Sequence, residues 1–327
     1  MYIVTGGAGF IGSAMIWKLN TLGINNILVV DNLASSEKWK NLVNRSYADY
    51  MHRDAFIDLV SNNDFEDVIG EEVEAVIHMG ACSSTTERDA DFLMQNNLAY
   101  SKALCLFALR KKARFINASS AATYGDGSLG FDDNLAAIGS LKPLNMYGYS
   151  KQLFDLWAKA NGLFSHIVSL KFFNVYGPNE QHKDDMRSVA NKAFHQIRET
   201  GAMRLFKSDL PDFADGGQMR DFVYIKDCVD IMWWLLKHPE VGGLFNVGTG
   251  TARSWNDLAA SVFTAMGVPK NIIYIDMPEH LKGKYQYFTE ARMDRLRKAG
   301  YDKPMHTLEQ GVADYVQTYL QSRDPYL

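Results

Sequence analysis

The stretch Tyr2-Ile-Val-Thr-Gly-Gly-Ala-Gly-Phe-Ile-Gly12 predicts a short buried strand, a glycine-rich turn and the first turn of a helix. Its four glycines would let backbone N–H groups approach a ligand closely. The N-terminus of the helix that follows favours negative charge, which suits a pyrophosphate. Gly23 stands where a residue in the left-handed conformation would end that helix. The stretch therefore predicts a phosphate-binding strand–turn–helix unit.

Asp31 follows an apolar run at residues 27–30 that predicts a second strand. Its position matches the distance at which an acidic residue meets the adenosine ribose of a bound dinucleotide. The glycine pattern alone is weak evidence, because a tight strand–helix turn without a ligand has the same glycines. The second strand with its terminal acid makes a dinucleotide site the favoured interpretation.

Strands and helices alternate through the first half of the chain, which is typical of a parallel sheet covered on both faces. Further strands are predicted near residues 47–48, 73–81, 114–119 and 166–174, and helices over 91–111 and 147–161. Beyond Pro178 the alternation is less regular. We expect an α/β fold with a doubly wound parallel Rossmann sheet over residues 1–177, to which some later segments return. Residues 178–327 should mainly form a smaller α/β C-terminal substrate lobe.

Composition excludes several classes of function. Apolar residues make up 47% of the 327 residues, and the net charge of −4 comes without a basic run, which argues against nucleic-acid binding. No apolar run approaches the ~18 residues of a membrane span. The first strand begins at residue 2, which leaves no room for a targeting peptide before it. The three cysteines show no metal or disulfide spacing, so we expect a cytoplasmic protein that binds no nucleic acid, membrane or metal.

Tyr147 and Lys151 lie four residues apart on a predicted helix, so their side chains share one face. A free tyrosine is a poor base because its pKa is about 10. A nearby ammonium and an oxidised nicotinamide both favour the phenolate and lower that pKa. Lys151 can also hold the nicotinamide ribose, and Ser119 or Ser120 can donate a hydrogen bond to the reacting oxygen. An ordinary surface pair is the alternative, but the nucleotide fold favours a catalytic pair.

These motifs, with Asn174-Val-Tyr-Gly-Pro178 and Arg220-Asp-Phe-Val-Tyr224, resemble the extended short-chain dehydrogenase/reductase family. Longer runs resemble the nucleotide-sugar epimerases of that family that act on ADP-heptoses. They are residues 3–12, Leu28-Val-Val-Asp-Asn-Leu33, Gly80-Ala-Cys-Ser-Ser-Thr-Thr-Glu87, Ala118-Ser-Ser-Ala-Ala-Thr-Tyr-Gly125, His182-Lys183, Leu281-Lys-Gly-Lys-Tyr-Gln286 and Ala299-Gly-Tyr-Asp-Lys-Pro304. The likeness covers almost the whole chain.

The resemblance implies a cytoplasmic enzyme that inverts C6″ of ADP-D-glycero-D-manno-heptose for lipopolysaccharide synthesis. It also implies bound NADP and a homo-oligomer, usually a pentamer. A hydride would pass to NADP⁺, leaving a planar ketone, and would return to the opposite face. The ketone must turn each of its two faces to the nicotinamide, and in each of these two orientations a side chain must donate or accept a proton. The resemblance assigns these roles to Tyr147 and Lys183, with Ser120 and Lys151 in support. The alternative for Lys183 is a solvated loop lysine.

The resemblance also implies a set of cofactor contacts. Asp31 alone would favour NAD, because its carboxylate repels a 2′-phosphate, but Asn32 and Lys38 could offset that charge. Arg53 stands where a lysine contact is expected. The expected contacts are Gly6, Gly9, Phe10, Ile11, Gly12, Asp31, Asn32, Lys38, Arg53, Met79, Gly80, Ala81, Cys82, Ser83, Asn96, Lys151, Val175 and Lys183. We expect NADP, with NAD as the alternative.

The nucleotide-sugar site is expected mostly in the second half of the chain. Arg220 would bind the diphosphate, because its fork suits bidentate contacts. Asp185 departs from the family's small hydroxyl residue, Lys192 replaces an expected histidine, and the loop at 210–219 is longer than expected. The candidate substrate residues are Asn174, Asp185, Lys192, Phe206, Lys207, Ser208, Asp209, Arg220 and Tyr285.

Two other functions stay open at this point. The first is another nucleotide-sugar enzyme of the same fold, a 4-epimerase or a 4,6-dehydratase. A dehydratase needs an Asp-Glu pair where this chain has Ser120-Ala-Ala-Thr123, which argues against elimination. The second is a non-catalytic NADP sensor, a class of protein that commonly loses the tyrosine or the lysine present here.

Overall fold

The structure is a computed structural model that describes residues 1–279 and 285–327. Its strands, in chain order, are β1 (Tyr2–Thr5), β2 (Ile27–Asp31), β3 (Asp49–His52), β4 (Ala75–His78), β5 (Arg114–Ser120), β6 (Ile167–Phe172), β7 (Asn174–Tyr176), β8 (Met203–Phe206), β9 (Met219–Tyr224), β10 (Gly243–Val247), β11 (Ala252–Ser254) and β12 (Ile272–Ile275). Its α-helices are α1 (Phe10–Thr21), α2 (Arg53–Asn62), α3 (Phe65–Val68), α4 (Ala90–Leu93), α5 (Tyr100–Arg110), α6 (Met146–Ala160), α7 (Val189–Thr200), α8 (Ile225–Lys237), α9 (Trp255–Met266), α10 (Asp294–Lys298) and α11 (Leu308–Asp314).

A parallel sheet of seven strands forms the centre of the molecule, in the order β10-β6-β5-β4-β1-β2-β3. Every residue of β2, β4 and β6 is buried, because helices cover both faces of the sheet. The strand order reverses between β1 and β4. In doubly wound sheets a ligand crevice opens at this point, beyond the carboxyl ends of the strands. The predicted fold class is confirmed.

The glycine turn closes tightly against this crevice. Gly6 has φ of +64°, and a Cβ placed on it would lie 2.6 Å from the Cα of Gly80, which follows β4. Only glycine fits at position 6, because a side chain there would clash with the backbone of the neighbouring strand end. Helix α1 begins directly after Gly9 and ends before Gly23, whose φ is +77° as predicted.

Three predicted elements differ in detail from the structure. The strand expected near residues 47–48 lies at β3, where Asp49–His52 pairs with β2 in parallel register. The helix expected over 91–111 contains a π-helical segment, Met94–Ala99, between α4 and α5. The strand expected over 166–174 is interrupted at Phe173, after which β7 joins a different sheet.

The remainder of the chain forms two smaller sheets, β11-β9-β7 and the pair β12-β8. Helices α7, α9 and α11 pack beside them. The chain after residue 178 is not confined to this lobe, because β10 pairs with β6 in the central sheet and α8 packs against α1. In the described part of the chain, no helix is long and apolar enough to cross a membrane. The described residues also contain no cluster of metal-ligating side chains.

Candidate active site

A cavity of about 830 Å³ opens at the carboxyl ends of the central strands. Its walls are the glycine turn, the ends of β2, β4 and β5, the first turns of α6 and the segment that follows β7. All the residues expected to contact the cofactor line this one cavity, as do Ser119, Ser120, Tyr147, Asn174 and His182. The fold therefore brings together expected cofactor residues that are up to 177 positions apart, from Gly6 to Lys183.

Asp31 is buried at the end of β2, and both of its carboxylate oxygens contact other groups of the protein. Its Oδ2 accepts a hydrogen bond from the Ala8 backbone N–H at 2.8 Å, and its Oδ1 accepts one from the Asn32 N–H at 2.7 Å. Lys38 Nζ lies 2.6 Å from the same Oδ1. The carboxylate therefore fixes the glycine turn against β2, and the Lys38 ammonium balances its charge.

The π-helical segment supplies two asparagines to this side of the cavity. Asn96 Oδ1 accepts a hydrogen bond from Arg53, and Asn96 Nδ2 donates to Asn97 Oδ1 at 2.9 Å. Asn97 in turn bonds both the N–H and the C=O of Cys82, at 2.9 and 3.0 Å. A π-helical turn changes the helical register, and here it allows consecutive asparagines to fix the Arg53 side chain and the loop after β4.

Lys151 is almost completely buried, with 4% exposure, one helical turn beyond Tyr147 on α6. Its Nζ donates to the Ala118 carbonyl of β5 at 2.8 Å. Burial lowers the pKa of Lys151 to about 8, although the negative charge of Asp155 acts in the opposite direction. At neutral pH the side chain therefore carries a proton that it loses readily as the pH rises.

Tyr147 lines the cavity and is half-buried at the start of α6. Desolvation of the phenolate raises the pKa, and a hydrogen bond with Ser120 lowers it by a smaller amount. Ser120 therefore lies within hydrogen-bonding distance of the Tyr147 hydroxyl. Within the protein alone, the removal of water from the phenol outweighs the stabilisation of the phenolate by this hydrogen bond.

Lys183 faces the cavity from a short 3-10 helix, Gln181–Met186. Its backbone N–H donates to Glu180 O at 3.0 Å, and Asp184, with φ of 44°, kinks the chain directly after it. The Nζ atom lies 5.2 Å from the centroid of the Phe10 ring, within range of a cation–π interaction. Burial lowers the pKa of Lys183, while Glu180 acts to raise it. This lysine is not a solvated loop residue.

His182 and Asn41 connect the Lys183 segment to the glycine turn. Asn41 Nδ2 lies 3.2 Å from His182 Nδ1 and donates to the carbonyls of Ala8 (2.8 Å) and Asn179 (3.1 Å). Burial and the Lys183 charge lower the pKa of His182 to about 4. The imidazole is therefore neutral near pH 7, which suits a structural contact better than proton transfer.

Arg220, Tyr285 and Phe206 form an aromatic–cation cluster next to the cavity. The Arg220 guanidinium carbon lies 5.2 Å from the Tyr285 ring centroid and 5.7 Å from that of Trp255. Trp255, which lines the cavity, donates from Nε1 to the Tyr285 hydroxyl at 3.0 Å. The rings of Phe206 and Tyr285 meet edge to face. Three of the expected substrate residues are thus brought together, and Asn174 lies in the cavity wall.

The other expected substrate residues occupy exposed positions outside the described cavity walls. Lys207 pairs with Asp276 at 2.9 Å, and the backbone N–H groups of Ser208 and Asp209 bond Asp215 and Tyr287. Lys192 Nζ donates to the Asp185 carbonyl at 2.5 Å. The two departures from the family pattern are thus neighbours in space. Residues 281–284 of the Leu281-Lys-Gly-Lys-Tyr-Gln286 motif lie outside the described residues.

Some cavity residues were not predicted from the sequence. Arg187 lines the cavity after Lys183, but an arginine in a polar loop carries no periodic signal. Trp255 also lines the cavity, but a tryptophan in the first turn of a helix is typical of core packing. Asp155, whose charge acts on Lys151, follows that lysine by four residues, so the same helical spacing that indicated Tyr147 and Lys151 could have found it.

Comparisons with known proteins agree with this geometry. The model of the NAD dependent epimerase/dehydratase family matches residues 2–248. An ADP-L-glycero-D-manno-heptose-6-epimerase of Nitratidesulfovibrio vulgaris is 66% identical over 327 residues, which is 100% of both chains. One of Fusobacterium nucleatum is 50% identical over 336 aligned residues, again covering 100% of each.

A solved structure gives the same result in three dimensions. The ADP-L-glycero-D-manno-heptose-6-epimerase of Helicobacter pylori superposes with a TM-score of 0.80 and 27% identity, over 97% of this chain and 95% of that one. The resemblance to nucleotide-sugar epimerases that the sequence motifs indicated is therefore confirmed. The chain belongs to the NAD dependent epimerase/dehydratase family.

Proposed function

We propose that this protein inverts C6″ of ADP-D-glycero-D-manno-heptose to give the L-glycero epimer. The observation that carries the proposal is that two proton-carrying side chains, Tyr147 and Lys183, come from distant segments to line one cavity of a dinucleotide-binding fold. The relatives that are 66% and 50% identical over the whole chain support this choice of substrate.

The cavity residues fit a nicotinamide dinucleotide. A volume of about 830 Å³ is in the range of small-molecule sites. Gly6 approaches Gly80 closely beside the N-terminus of α1, and a pyrophosphate would bind at this helix end, which favours negative charge. Lys38 and Arg53 would contact the adenosine end, and Lys151 the nicotinamide ribose. When bound, the nicotinamide supplies a hydride acceptor that can return the hydride to either face of a ketone.

The protein's own contribution is proton transfer and positioning. A secondary alcohol carbon has no acidic C–H, so its inversion requires a ketone that presents each face in turn. Tyr147 would take or give a proton at its phenol oxygen in one presentation, and Lys183 at Nζ in the other. Burial lowers the pKa values of Lys151 and Lys183 towards neutral pH, so either side chain can exchange a proton more easily there. Ser120, bonded to Tyr147, would orient the reacting oxygen.

We propose NADP as the preferred cofactor, with NAD as the alternative. The contact of Lys38 with Asp31 supports this, because it removes the net negative charge that would repel a 2′-phosphate. Arg53, fixed by Asn96, offers a second cation on the same side of the cavity.

Residues 178–327 would mainly bind the nucleotide sugar. Arg220, held between Tyr285 and Trp255, is buried to 8% exposure and suits a diphosphate. By family resemblance we also propose a cytoplasmic homo-oligomer, a pentamer, that acts in lipopolysaccharide synthesis.

The decisive experiment is proton NMR of ADP-D-glycero-D-manno-heptose incubated with the purified protein and no added cofactor. We expect signals of the L-glycero epimer, which would also show that the cofactor is retained through purification. Tyr149→Phe is a matched control for Tyr147→Phe, because Tyr149 is exposed on the same helix. Unchanged substrate with cofactor added, or inversion at another carbon, would contradict the proposal.

A further inference from the structure

A buried ion pair lies behind the cavity, and no step described above uses it. The side chains of Asp155 and Lys171 both have 0% exposure, and Lys171 Nζ lies 3.9 Å from Asp155 Oδ2. Asp155 accepts hydrogen bonds from Ser119 Oγ at 2.7 Å and from Ser169 Oγ at 2.8 Å. The carboxylate thus joins α6, β5 and β6 at one point.

Lys171 has its own partners on the far side of the pair. Its Nζ donates to Thr123 Oγ1 at 2.6 Å and lies 4.4 Å from the centroid of the Tyr124 ring. Burial of two charges is costly, and well-packed apolar residues of similar volume are often at least as stable. Stability alone is therefore a weak explanation for this pair.

The helix places Asp155 where its charge can act on the proposed reaction. Tyr147, Lys151 and Asp155 follow one another at intervals of four on α6, so they share one face. Asp155 also accepts from Ser119, the neighbour of Ser120 on β5, and Ser120 bonds Tyr147. The carboxylate is therefore linked to the cavity by charge and by hydrogen bonds.

Asp155 on the same helix and Cys82 in the loop after β4 act to raise the pKa of Lys151. The Lys151 charge in turn acts to lower the pKa of His78 on β4. Burial lowers the pKa of His78 to about 3, so its ring is neutral near pH 7. Asp155 follows Lys151 by one helical turn on α6. Burial raises the pKa of Asp155, while the Lys171 charge and the hydrogen bonds from Ser119 and Ser169 act to lower it.

We infer that Asp155 is a positioning residue that favours the charged form of Lys151 and holds the end of β5 in place, while Lys171 favours the ionised form of Asp155. The inference rests on the proposed function in one respect, namely that Lys151 serves the reaction. The charges of Lys171 and Asp155 would thus influence the protonation of Lys151 in the active site.

The test is a titration of Lys151 in protein labelled with [ε-¹³C]lysine, its NMR signal being assigned by its loss in Lys151→Met. In Asp155→Asn we expect Lys151 to lose its proton about one pH unit or more below the wild-type value, because an adjacent opposite charge is lost. Asp314→Asn is the control, since Asp314 pairs with Lys226 away from the cavity. An unchanged Lys151 titration in folded Asp155→Asn would overturn the inference.

A second comparison covers the case in which Asp155→Asn does not fold with an unpaired Lys171. In Lys171→Met and the double variant Asp155→Asn/Lys171→Met, no ammonium is left unpaired at position 171. Lys151 should lose its proton at lower pH in the double variant than in Lys171→Met. Equal titrations in these two proteins would also overturn the inference.

The same samples are assayed for conversion of ADP-D-glycero-D-manno-heptose, which separates the two proposals. A titration shift together with an inactive wild-type protein would refute the proposed function and support the effect of Asp155 on Lys151. If the wild-type protein converts the substrate but Asp155→Asn leaves the Lys151 titration unchanged, the inference is overturned and the proposed function stands. A structural role for Asp155 would lower stability without moving the Lys151 titration.

Discussion

Lys38 Nζ lies 2.6 Å from Asp31 Oδ1, so the acid that follows the second strand is paired within the protein. Asp31 in addition accepts hydrogen bonds from the Ala8 and Asn32 N–H groups. The carboxylate that alone would favour NAD therefore also supports the glycine turn. If the proposed NADP site is correct, this relationship makes Lys38 the residue to test first.

Lys38→Ala should weaken NADP binding by roughly tenfold or more, because it removes a cation near the expected 2′-phosphate and leaves Asp31 unbalanced. NAD affinity should change much less. Calorimetry of cofactor-stripped protein with each dinucleotide measures both constants. Lys40→Ala is the control, since Lys40 is exposed on the same 3-10 segment and pairs with Glu37. Equal losses for NADP and NAD would argue against this role of Lys38.

Tyr147→Phe and Lys183→Met should each lower turnover by about 10²–10⁴-fold, the usual effect of losing a general acid/base. The two variants should differ in their half-reactions. If each side chain serves one presentation of the ketone, each variant should fail to oxidise a different epimer of the substrate. Each variant is mixed with each epimer in turn, and the fluorescence of reduced nicotinamide shows which epimer it can oxidise. Failure of both variants with the same epimer would contradict the two-base arrangement.

Turnover should decline as the pH rises through about 8, because Lys151 then loses the proton that stabilises the phenolate. Burial lowers the pKa of Lys151 to about 8, so its charged form predominates below this pH and is lost above it. Lys151→Arg should be less active overall but should lack this decline, because an arginine stays protonated. A wild-type profile that is flat up to pH 10 would contradict the role of the Lys151 charge.

Arg220→Lys should weaken ADP binding by roughly tenfold, because a point charge replaces a planar fork stacked between Tyr285 and Trp255. Arg253→Lys is the matched control. Arg253 pairs with Glu309 at the surface, one strand away in the same small sheet. Equal ADP affinities for Arg220→Lys and the wild type, measured by calorimetry, would remove Arg220 from the diphosphate site.

The sequence predicted most strongly those features that depend on local chemistry. A strand with a glycine turn, an acid after the second strand and a tyrosine–lysine pair at helical spacing each have a local cause, and the structure places all three around one cavity. The strand expected near residues 47–48 is displaced because its pairing with β2, a non-local contact, fixes the register. The positions of Lys207, Ser208 and Asp209 outside the cavity walls likewise follow from tertiary packing.

By itself, the sequence determined the α/β class, the dinucleotide site and the spacing of Tyr147 and Lys151, because periodicity and glycine placement act over a few residues. Only the tertiary structure decided that the half-buried Lys183 lies over the Phe10 ring, that Lys38 pairs with Asp31 and that Asp155 meets Lys171. These contacts set the charges of the site, since a pKa depends on burial and on neighbours from other segments. No local pattern encodes that environment.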